Sequence, residues 1–247
     1  MMSLGLLLAV GLAAIHAFAS TVTLPRWLPI FRWISFAGGV SIGYVFLEIL
    51  PELSHAQHEV GELELPLVAY LENHVYILAL LGLTVFYGLD ILALHSRKQN
   101  QVNQAVDQTE DRIFWIHLSG FAILNIILGY LMQDLKSHGS LLSCILFFVA
   151  IALHFFILDY HLREHHKKPY DQIGRWLLTG SIILGAILGQ ALHLNEAAVA
   201  IIWSFLAGSI ILNVLKHELP SERESCFSSF LGGTGLYAVL ILGVQST

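Results

Sequence analysis

The sequence predicts an all-α, polytopic membrane protein with eight transmembrane helices. Hydrophobic residues make up 56% of the chain and charged residues 12%, and the mean hydropathy is +0.70. Soluble domains carry about a quarter charged residues, so this chain lacks the groups that would cover a surface in water. Apolar runs of about 20 residues, the length that crosses a bilayer as a helix, recur along the chain. Basic residues fall almost entirely in alternate connections between these runs.

The apolar runs define the predicted spans in order. Lipid offers no hydrogen bonds to a backbone, so each run must satisfy its own groups as a helix. The first run, "MMSLGLLLAVGLAAIHAFAS", has no basic start, and we interpret it as a span, with a cleaved signal peptide as the alternative. The predicted spans are residues 2–20, 32–50, 74–94, 113–132, 141–160, 173–192, 196–215 and 227–244.

The basic residues predict which side of the membrane each connection faces. Of the 12 Lys and Arg residues, all except Lys136 lie in or beside the first, third, fifth and seventh connections. They are Arg26, Arg32, Arg97, Lys98, Arg112, Arg163, Lys167, Lys168, Arg175, Lys216 and Arg223. The positive-inside rule then makes these connections cytoplasmic and places both termini outside, in a plasma membrane of the bacterial inner-membrane type.

The chain is predicted to form a single membrane domain over residues 1–247. The stretch "HSRKQNQVNQAVDQTEDR" between the third and fourth spans is polar and rich in Gln and Asn. Such a composition cannot bury much apolar surface, so residues 95–112 are predicted to be a flexible cytoplasmic linker. The linker divides the spans into three and then five.

Two spans carry closely similar sequences. "SFAGGVSIGYVFLEILPEL" begins at Ser35 and "SFLAGSIILNVLKHELP" at Ser204, and each ends on Leu-Pro at the same distance. Glu48 and His217 hold matching positions before the proline. The charge pattern makes these spans cross in opposite directions, so the similarity predicts an inverted repeat of spans one to three and six to eight, as in many transporters. A chance likeness between apolar helices is the alternative.

The layout and the segment "FAGGVSIGYVFLEILPEL" resemble the ZIP (Zrt/Irt-like) metal permeases. The end of the second span, Leu50-Pro51-Glu52, keeps the Leu-Pro-Glu ending of that family. The resemblance implies a bundle of three, two and three helices in which the outer threes are inverted. It also implies that Zn²⁺, Fe²⁺ or Mn²⁺ is the transported substrate and that the protein has no resident cofactor.

The resemblance further implies that metal sites lie on spans four and five, where the family carries motifs such as His-Asn-x-x-Glu-Gly. In "WIHLSGFAILNIILGYLM", Asn125 and Gly129 match the Asn and Gly of that motif. Leu124 and Leu128 stand where its His and acid belong. Imidazole and carboxylate at i and i+4 share one helix face and suit zinc or iron(II), so this departure weakens the expected site.

Span five, "FFVAIALHFFILDYHLREHH", offers further polar groups. His154 matches a motif His, and Asp159 lies near the i+4 position that Leu158 occupies. His117 lies two turns before Asn125, and His161 two turns after His154, which predicts polar lines that lead toward the cytoplasm. Ionisable groups within lipid are costly and usually face a partner or a cavity. The predicted metal contacts are His154, Asn125, Asp159, His117, His161 and Glu48, with hydrogen bonding between helices as the alternative for each.

These observations narrow the function classes. Basic residues form no stripe, which argues against a nucleic-acid partner. The sequence shows no nucleophile elbow, phosphate loop, paired zinc cysteines or HExxH motif, so we predict that the protein is not an enzyme. Its predicted partners are the lipid bilayer and a divalent metal ion, and its small-residue faces would allow a homodimer. The predicted function is that of a divalent-metal transporter or of a diverged relative of such transporters. The alternatives are a non-transporting scaffold or sensor and a transporter of another small solute.

Overall fold

The computed structural model describes residues 4–19, 30–61, 74–104, 109–133, 141–219 and 226–245. Within those ranges the regular structure is helical and no strand is present, which confirms the all-α prediction. Each of the eight predicted apolar runs coincides with a helix. Arg26, Lys136 and Arg223, which were used to predict orientation, lie outside the described residues, as does part of the predicted linker, 105–108.

Nine α-helices and three short π-helical segments cover most of the described chain. The α-helices are α1 (Leu4–Phe18), α2 (Ile30–Tyr44), α3 (Leu50–Gly61), α4 (His74–Gln104), α5 (Asp111–Leu131), α6 (Leu141–His166), α7 (Arg175–Ala191), α8 (Glu196–Asn213) and α9 (Phe227–Gln245). The π-helical segments are π1 (Val45–Ile49), π2 (Tyr170–Gly174) and π3 (Val214–Glu218). π1 joins α2 to α3 without a break, and π2 and π3 adjoin α7 and α8.

Six helical stretches among the described residues are long and apolar enough to cross a membrane, so the chain is a polytopic helical membrane protein. They are Phe31–His58, Val75–Asn103, Asp111–Leu131, Leu141–His166, Tyr170–Ala191 and Ala198–Glu218. Two shorter apolar helices, Leu4–Phe18 and Phe227–Gly243, coincide with the first and last predicted spans.

The structure differs from the sequence prediction at the start of the predicted linker. α4 continues through residues 95–104, where Ser96 and Asn100 are buried. Gln, Lys and Arg are good helix formers, so a polar composition alone did not mark the end of this helix. The Ser96 hydroxyl accepts a hydrogen bond from the backbone N–H of Glu110 (2.9 Å), which ties the far side of the predicted linker to α4.

The helices group into two compact units. The first unit comprises Met1–Val22, Thr84–Leu135 and Phe155–Leu192, and the second comprises Thr23–Leu83, Lys136–His154 and His193–Thr247. In the first unit α7 packs against both α1 and α5. Gly129 and Gly185 allow close approach there, because a Cβ on either would overlap a carbonyl of the facing helix.

In the second unit α2 packs against α9 through a reciprocal pair of glycines. A Cβ on Gly39 would overlap the carbonyl of Phe230, and a Cβ on Gly233 would overlap the carbonyl of Phe36. The two backbones are therefore in direct contact, as small residues permit between membrane helices. The Thr234 hydroxyl adds a hydrogen bond to the Gly39 carbonyl (3.1 Å).

The same kind of contact joins α8 to α4 in that unit. A Cβ on Gly208 would overlap the carbonyl of Ala79, and a Cβ on Gly82 would overlap the carbonyl of Phe205. In both helix pairs the contact is made by a Phe and a Gly three residues apart at the start of one of the two similar sequence segments. Two segments of similar sequence thus make similar contacts with two different helices.

Candidate functional site

Four buried polar side chains meet in the first unit and form what we call the central cluster: His16, Asn125, Asp159 and Tyr170. His16 Nδ1 lies 2.8 Å from Oδ1 and 3.1 Å from Oδ2 of Asp159. On its other side, His16 Nε2 lies 2.8 Å from Oδ1 of Asn125. The Tyr170 hydroxyl donates to Asp159 Oδ1. All four side chains are buried, so these contacts replace water entirely.

Four separate elements supply the central cluster. His16 lies in the last turn of α1, and Asn125 lies in the middle of α5. Asp159 lies on α6, and Tyr170 begins π2 directly after Pro169. Ionisable groups at such depth persist only when they are paired, and here each one has a partner from another element.

The hydrogen bonds fix the protons of the central cluster. The Asn125 amide nitrogen donates to the Phe121 carbonyl (2.9 Å), so the amide oxygen is the atom that faces His16. His16 Nε2 must therefore carry a hydrogen. A second proton is shared between His16 Nδ1 and the Asp159 carboxylate, because two acceptors do not approach to 2.8 Å. The central cluster therefore carries no net charge, whether that proton lies on His16 or on Asp159.

A second group of polar residues in the same unit forms a line, which we call the imidazole chain: Thr109, His166, His117 and Asp90. The Thr109 Oγ1 lies 2.6 Å from His166 Nδ1. His166 Nε2 lies 2.9 Å from His117 Nδ1. His117 Nε2 lies 3.5 Å from Asp90 Oδ1, within ion-pair distance. All four side chains are buried.

The central cluster and the imidazole chain lie about two helical turns apart along α5 and α6. On α5, His117 precedes Asn125 by about 12 Å along the axis, and on α6, His166 follows Asp159 by about 10 Å, from the rise of 1.5 Å per residue. Phe121 lies between them on α5: its ring centroid is 5.1 Å from that of His117, and its carbonyl binds Asn125. Along α5, the apolar residue Phe121 therefore lies between the imidazole chain and the central cluster.

The second unit contains one buried acid, Glu218, among the described residues and one half-buried acid, Glu48, that has a neighbour on another helix. Glu218, at the end of π3, is only 1% exposed, and its Oε1 pairs with His154 Nδ1. Glu48, within π1, lies beside Tyr237 of α9. Each pair joins an acid of a π-helical segment to a residue of a neighbouring helix.

The structure brings only part of the predicted metal-contact set together. Asn125 and Asp159 meet in the central cluster, whereas His117 belongs to the imidazole chain. His154 and Glu48 have their partners Glu218 and Tyr237 in the second unit, and His161 is half-buried beside Tyr160. The polar line along α6 passes through Asp159 and His166, at the two-turn spacing that we predicted for His154 and His161. In the part of the chain that the structure describes, no three His, Cys, Asp or Glu side chains are arranged to hold a metal ion.

The predicted metal contacts did not include six residues of these groups. They are His16 and Tyr170 of the central cluster, Thr109, His166 and Asp90 of the imidazole chain, and Glu218. A lone ionisable residue in an otherwise apolar first span was a usable signal for His16. Tyr170 and Glu218 belong to π-helical segments, which the sequence did not predict. No protein-family model and no curated protein sequence matches this chain. Fold and site together define a polytopic helical membrane protein with linked ionisable side chains buried within its helices.

Proposed function

We propose that the protein is a ZIP-like transporter that carries a divalent metal ion across a plasma membrane. It would cross the bilayer eight times with both termini on the non-cytoplasmic side, and its first and last three spans would be inverted counterparts. The observation that carries the proposal is that the two segments of similar sequence in the second unit also have similar local structure and similar helix contacts. Inverted repeats are the common architecture of transporters that alternate between two access states.

The match between the two segments extends beyond their sequence. Ser35 and Ser204 are both fully buried, and each hydroxyl donates to the carbonyl four residues earlier. π1 and π3 begin at the same distance from these serines and have the same length. π-Helical turns are rare and concentrate at functional sites, so two of them at matching positions favour a common origin over chance. The reciprocal glycine contacts of α2 with α9 and of α8 with α4 support the same inference.

The central cluster supports the choice of substrate. The amide oxygen of Asn125 and the carboxylate of Asp159 each lie within hydrogen-bonding distance of an imidazole nitrogen of His16. Nitrogen and oxygen donors of this kind suit Zn²⁺, Fe²⁺ and Mn²⁺. A dication passing this point would exchange part of its hydration shell for these atoms.

A non-transporting scaffold is the second candidate, and one observation favours it. Leu124 and Leu128, at the two motif positions where the resemblance calls for ligands, are buried apolar side chains. The polar groups of the central cluster also satisfy one another, as groups with a purely structural role would. In that case the cluster would hold α1, α5 and α6 together without moving an ion.

Uptake into liposomes distinguishes the two candidates. Purified protein is reconstituted with a metal-sensitive dye inside, and Zn²⁺, Fe²⁺ and Mn²⁺ are added outside in turn. Transport predicts protein-dependent uptake of at least one ion, reduced by Asp159→Asn and by Asn125→Leu. Ser181→Ala is the matched control, because Ser181 is buried on α7 and its hydroxyl donates to the Leu177 carbonyl of its own helix. Uptake no faster than in protein-free liposomes for all three ions would leave the scaffold as the function.

A further inference from the structure

We propose that the turn between α6 and π2 binds the headgroup of an anionic phospholipid. The bases of this turn and of the helix ends beside it form what we call the basic turn: Arg163, Lys167, Lys168 and Arg175. The inference goes beyond metal transport, because it holds whether or not the chain moves an ion. The basic turn lies wholly within the first unit.

The basic turn lies at a membrane surface. The helical stretches on its two sides, Leu141–His166 and Tyr170–Ala191, are each long and apolar enough to cross the bilayer. Only residues 167–169 connect them, so this short segment lies where the two helices leave the hydrocarbon. Lipid headgroups are the charged groups that a bilayer presents at that level, and clustered Lys and Arg attract the anionic ones.

The backbone of the basic turn is fixed by hydrogen bonds to both helices. Lys167 has a φ of 50°, in the left-handed region that residues other than glycine seldom adopt. Its backbone N–H donates to the Arg163 carbonyl (2.8 Å), and its carbonyl accepts from the backbone N–H of Asp171 (3.2 Å). Lys167 and Lys168 are therefore held at defined positions between the two helices.

The acids within this stretch are already paired. Residues 160–176 contain two acids, Glu164 and Asp171. Glu164 Oε1 lies 3.3 Å from Nη1 of Arg97 on α4, and Asp171 Oδ1 lies 2.9 Å from Nε of Arg163. Each of these ion pairs neutralises one acid with one arginine. The remaining bases provide an excess of positive charge, and Lys168 among them is exposed: Lys167, Lys168 and Arg175.

Large side chains beside the basic turn offer a surface to the rest of a lipid molecule. Tyr160, Ile173 and Trp176 are each exposed by nearly half or more of their surface. Trp176 follows Lys168 by eight residues, at most about 12 Å along a helix axis. The guanidinium carbon of Arg175 lies 4.9 Å from the centroid of the Trp176 ring. Exposed Trp and Tyr side chains are typical of the membrane interface, so a lipid whose phosphate lies at the lysines has an aromatic ring beside it.

The basic turn leads directly into the central cluster. Pro169 alone separates Lys168 from Tyr170, which begins π2 and donates to Asp159. Lys167 and Lys168 place like charges on adjacent residues, and a bound phosphate would offset their repulsion. Anionic lipid should therefore stabilise the turn that positions Tyr170.

Quenching of tryptophan fluorescence by brominated lipids measures the binding. Purified protein is reconstituted in phosphatidylcholine that contains increasing fractions of either dibrominated phosphatidylglycerol or dibrominated phosphatidylcholine. Bromine quenches the indole rings that it contacts. The chain has five Trp residues, so the signal of Trp176→Phe is subtracted, and the difference reports the lipid beside Trp176.

The preference for phosphatidylglycerol over phosphatidylcholine beside Trp176 should exceed about fivefold, the factor that one lysine supplies near an anionic surface. Lys168→Gln should reduce that preference by about fivefold. Lys216→Gln is the matched control, because Lys216 is exposed on π3 in the second unit and its loss removes the same charge. It should leave the preference at Trp176 unchanged.

Equal quenching by the two brominated lipids would overturn the proposal. An unchanged preference in Lys168→Gln would do so too, as would an equal fall in Lys168→Gln and Lys216→Gln, because the whole charged face would then attract the lipid. Thermal unfolding in detergent gives a second measurement: short-chain phosphatidylglycerol should raise Tm of the wild type more than that of Lys168→Gln. An equal rise with inorganic phosphate at the same concentration would overturn the assignment to a lipid. Neither assay depends on metal uptake, so their results are independent of the transport proposal.

Discussion

Removal of the Asp159 carboxylate is predicted to destabilise the first unit more than removal of an exposed carboxylate would. Asp159→Ala leaves two buried polar groups, His16 Nδ1 and the Tyr170 hydroxyl, without their hydrogen-bond partner. A buried donor left unsatisfied costs about 1–3 kcal/mol, and breaking a buried ionisable pair costs about 3–5 kcal/mol. We therefore expect a loss of about 3–5 kcal/mol in the free energy of unfolding. Equilibrium unfolding in mixed micelles, followed by tryptophan fluorescence, measures it.

Two further variants test the reasoning. Tyr170→Phe removes one donor and leaves the pair with His16 intact, so it should cost about 1 kcal/mol. In the double variant with Asp159→Ala the two losses should not add, because both remove the same hydrogen bond. The control is Asp171→Ala, since Asp171 pairs with Arg163 (2.9 Å) in a partly exposed position, where such a pair contributes about 0–1 kcal/mol. A cost for Asp159→Ala no greater than for Asp171→Ala, or strict additivity with Tyr170→Phe, would refute the account of the central cluster.

Two other predictions concern the second unit. Gly39→Leu should unfold at a lower concentration of a denaturing detergent than the wild type does, because the new side chain would overlap the backbone of α9. Gly235→Leu is the control and should unfold at the wild-type concentration, because position 235 faces open space. Cys226 should be alkylated half-maximally near pH 7, because hydrogen bonds from Ser228 and the serine after it lower the pKa of the thiol from 9.0 to about 7. The alkylation rate then falls below pH 7 as the thiolate is protonated, and Ser228→Ala should move the midpoint upward. Cys144 is buried and should stay unlabelled, and its labelling at the same rate would count against the structure.

The helices were predictable from the sequence because lipid leaves an apolar run little choice of structure. Each of the eight runs became a helix, and the largest error was the end of α4, where polar helix formers continue past the apolar part. Asn125 and Asp159 could be singled out from the sequence because polar groups within a span need partners. Their partners were not found, because the approach of α1 and π2 to these residues depends on how the helices pack, which periodicity does not encode.

The buried acid of π3 was not predicted from the sequence. Glu48 and His217 hold matching positions in the two similar segments, and both are half-buried. π1 and π3 start at the same distance from Ser35 and Ser204 and have the same length, so this matching is kept through both. The next position is buried in each segment, and it is Ile49 in one and Glu218, which pairs with His154, in the other.

Phe121 lies on α5 between His117 of the imidazole chain and Asn125 of the central cluster. Its ring contacts the ring of His117 and packs edge-on against Phe86, with the two centroids 5.2 Å apart. An aromatic pair of this kind contributes about 0.5–1.5 kcal/mol beyond burial of its surface. Loss of that contact is small beside the several kcal/mol that hold either polar group together. Displacement of the Phe121 ring would therefore cost less free energy than disruption of either polar group.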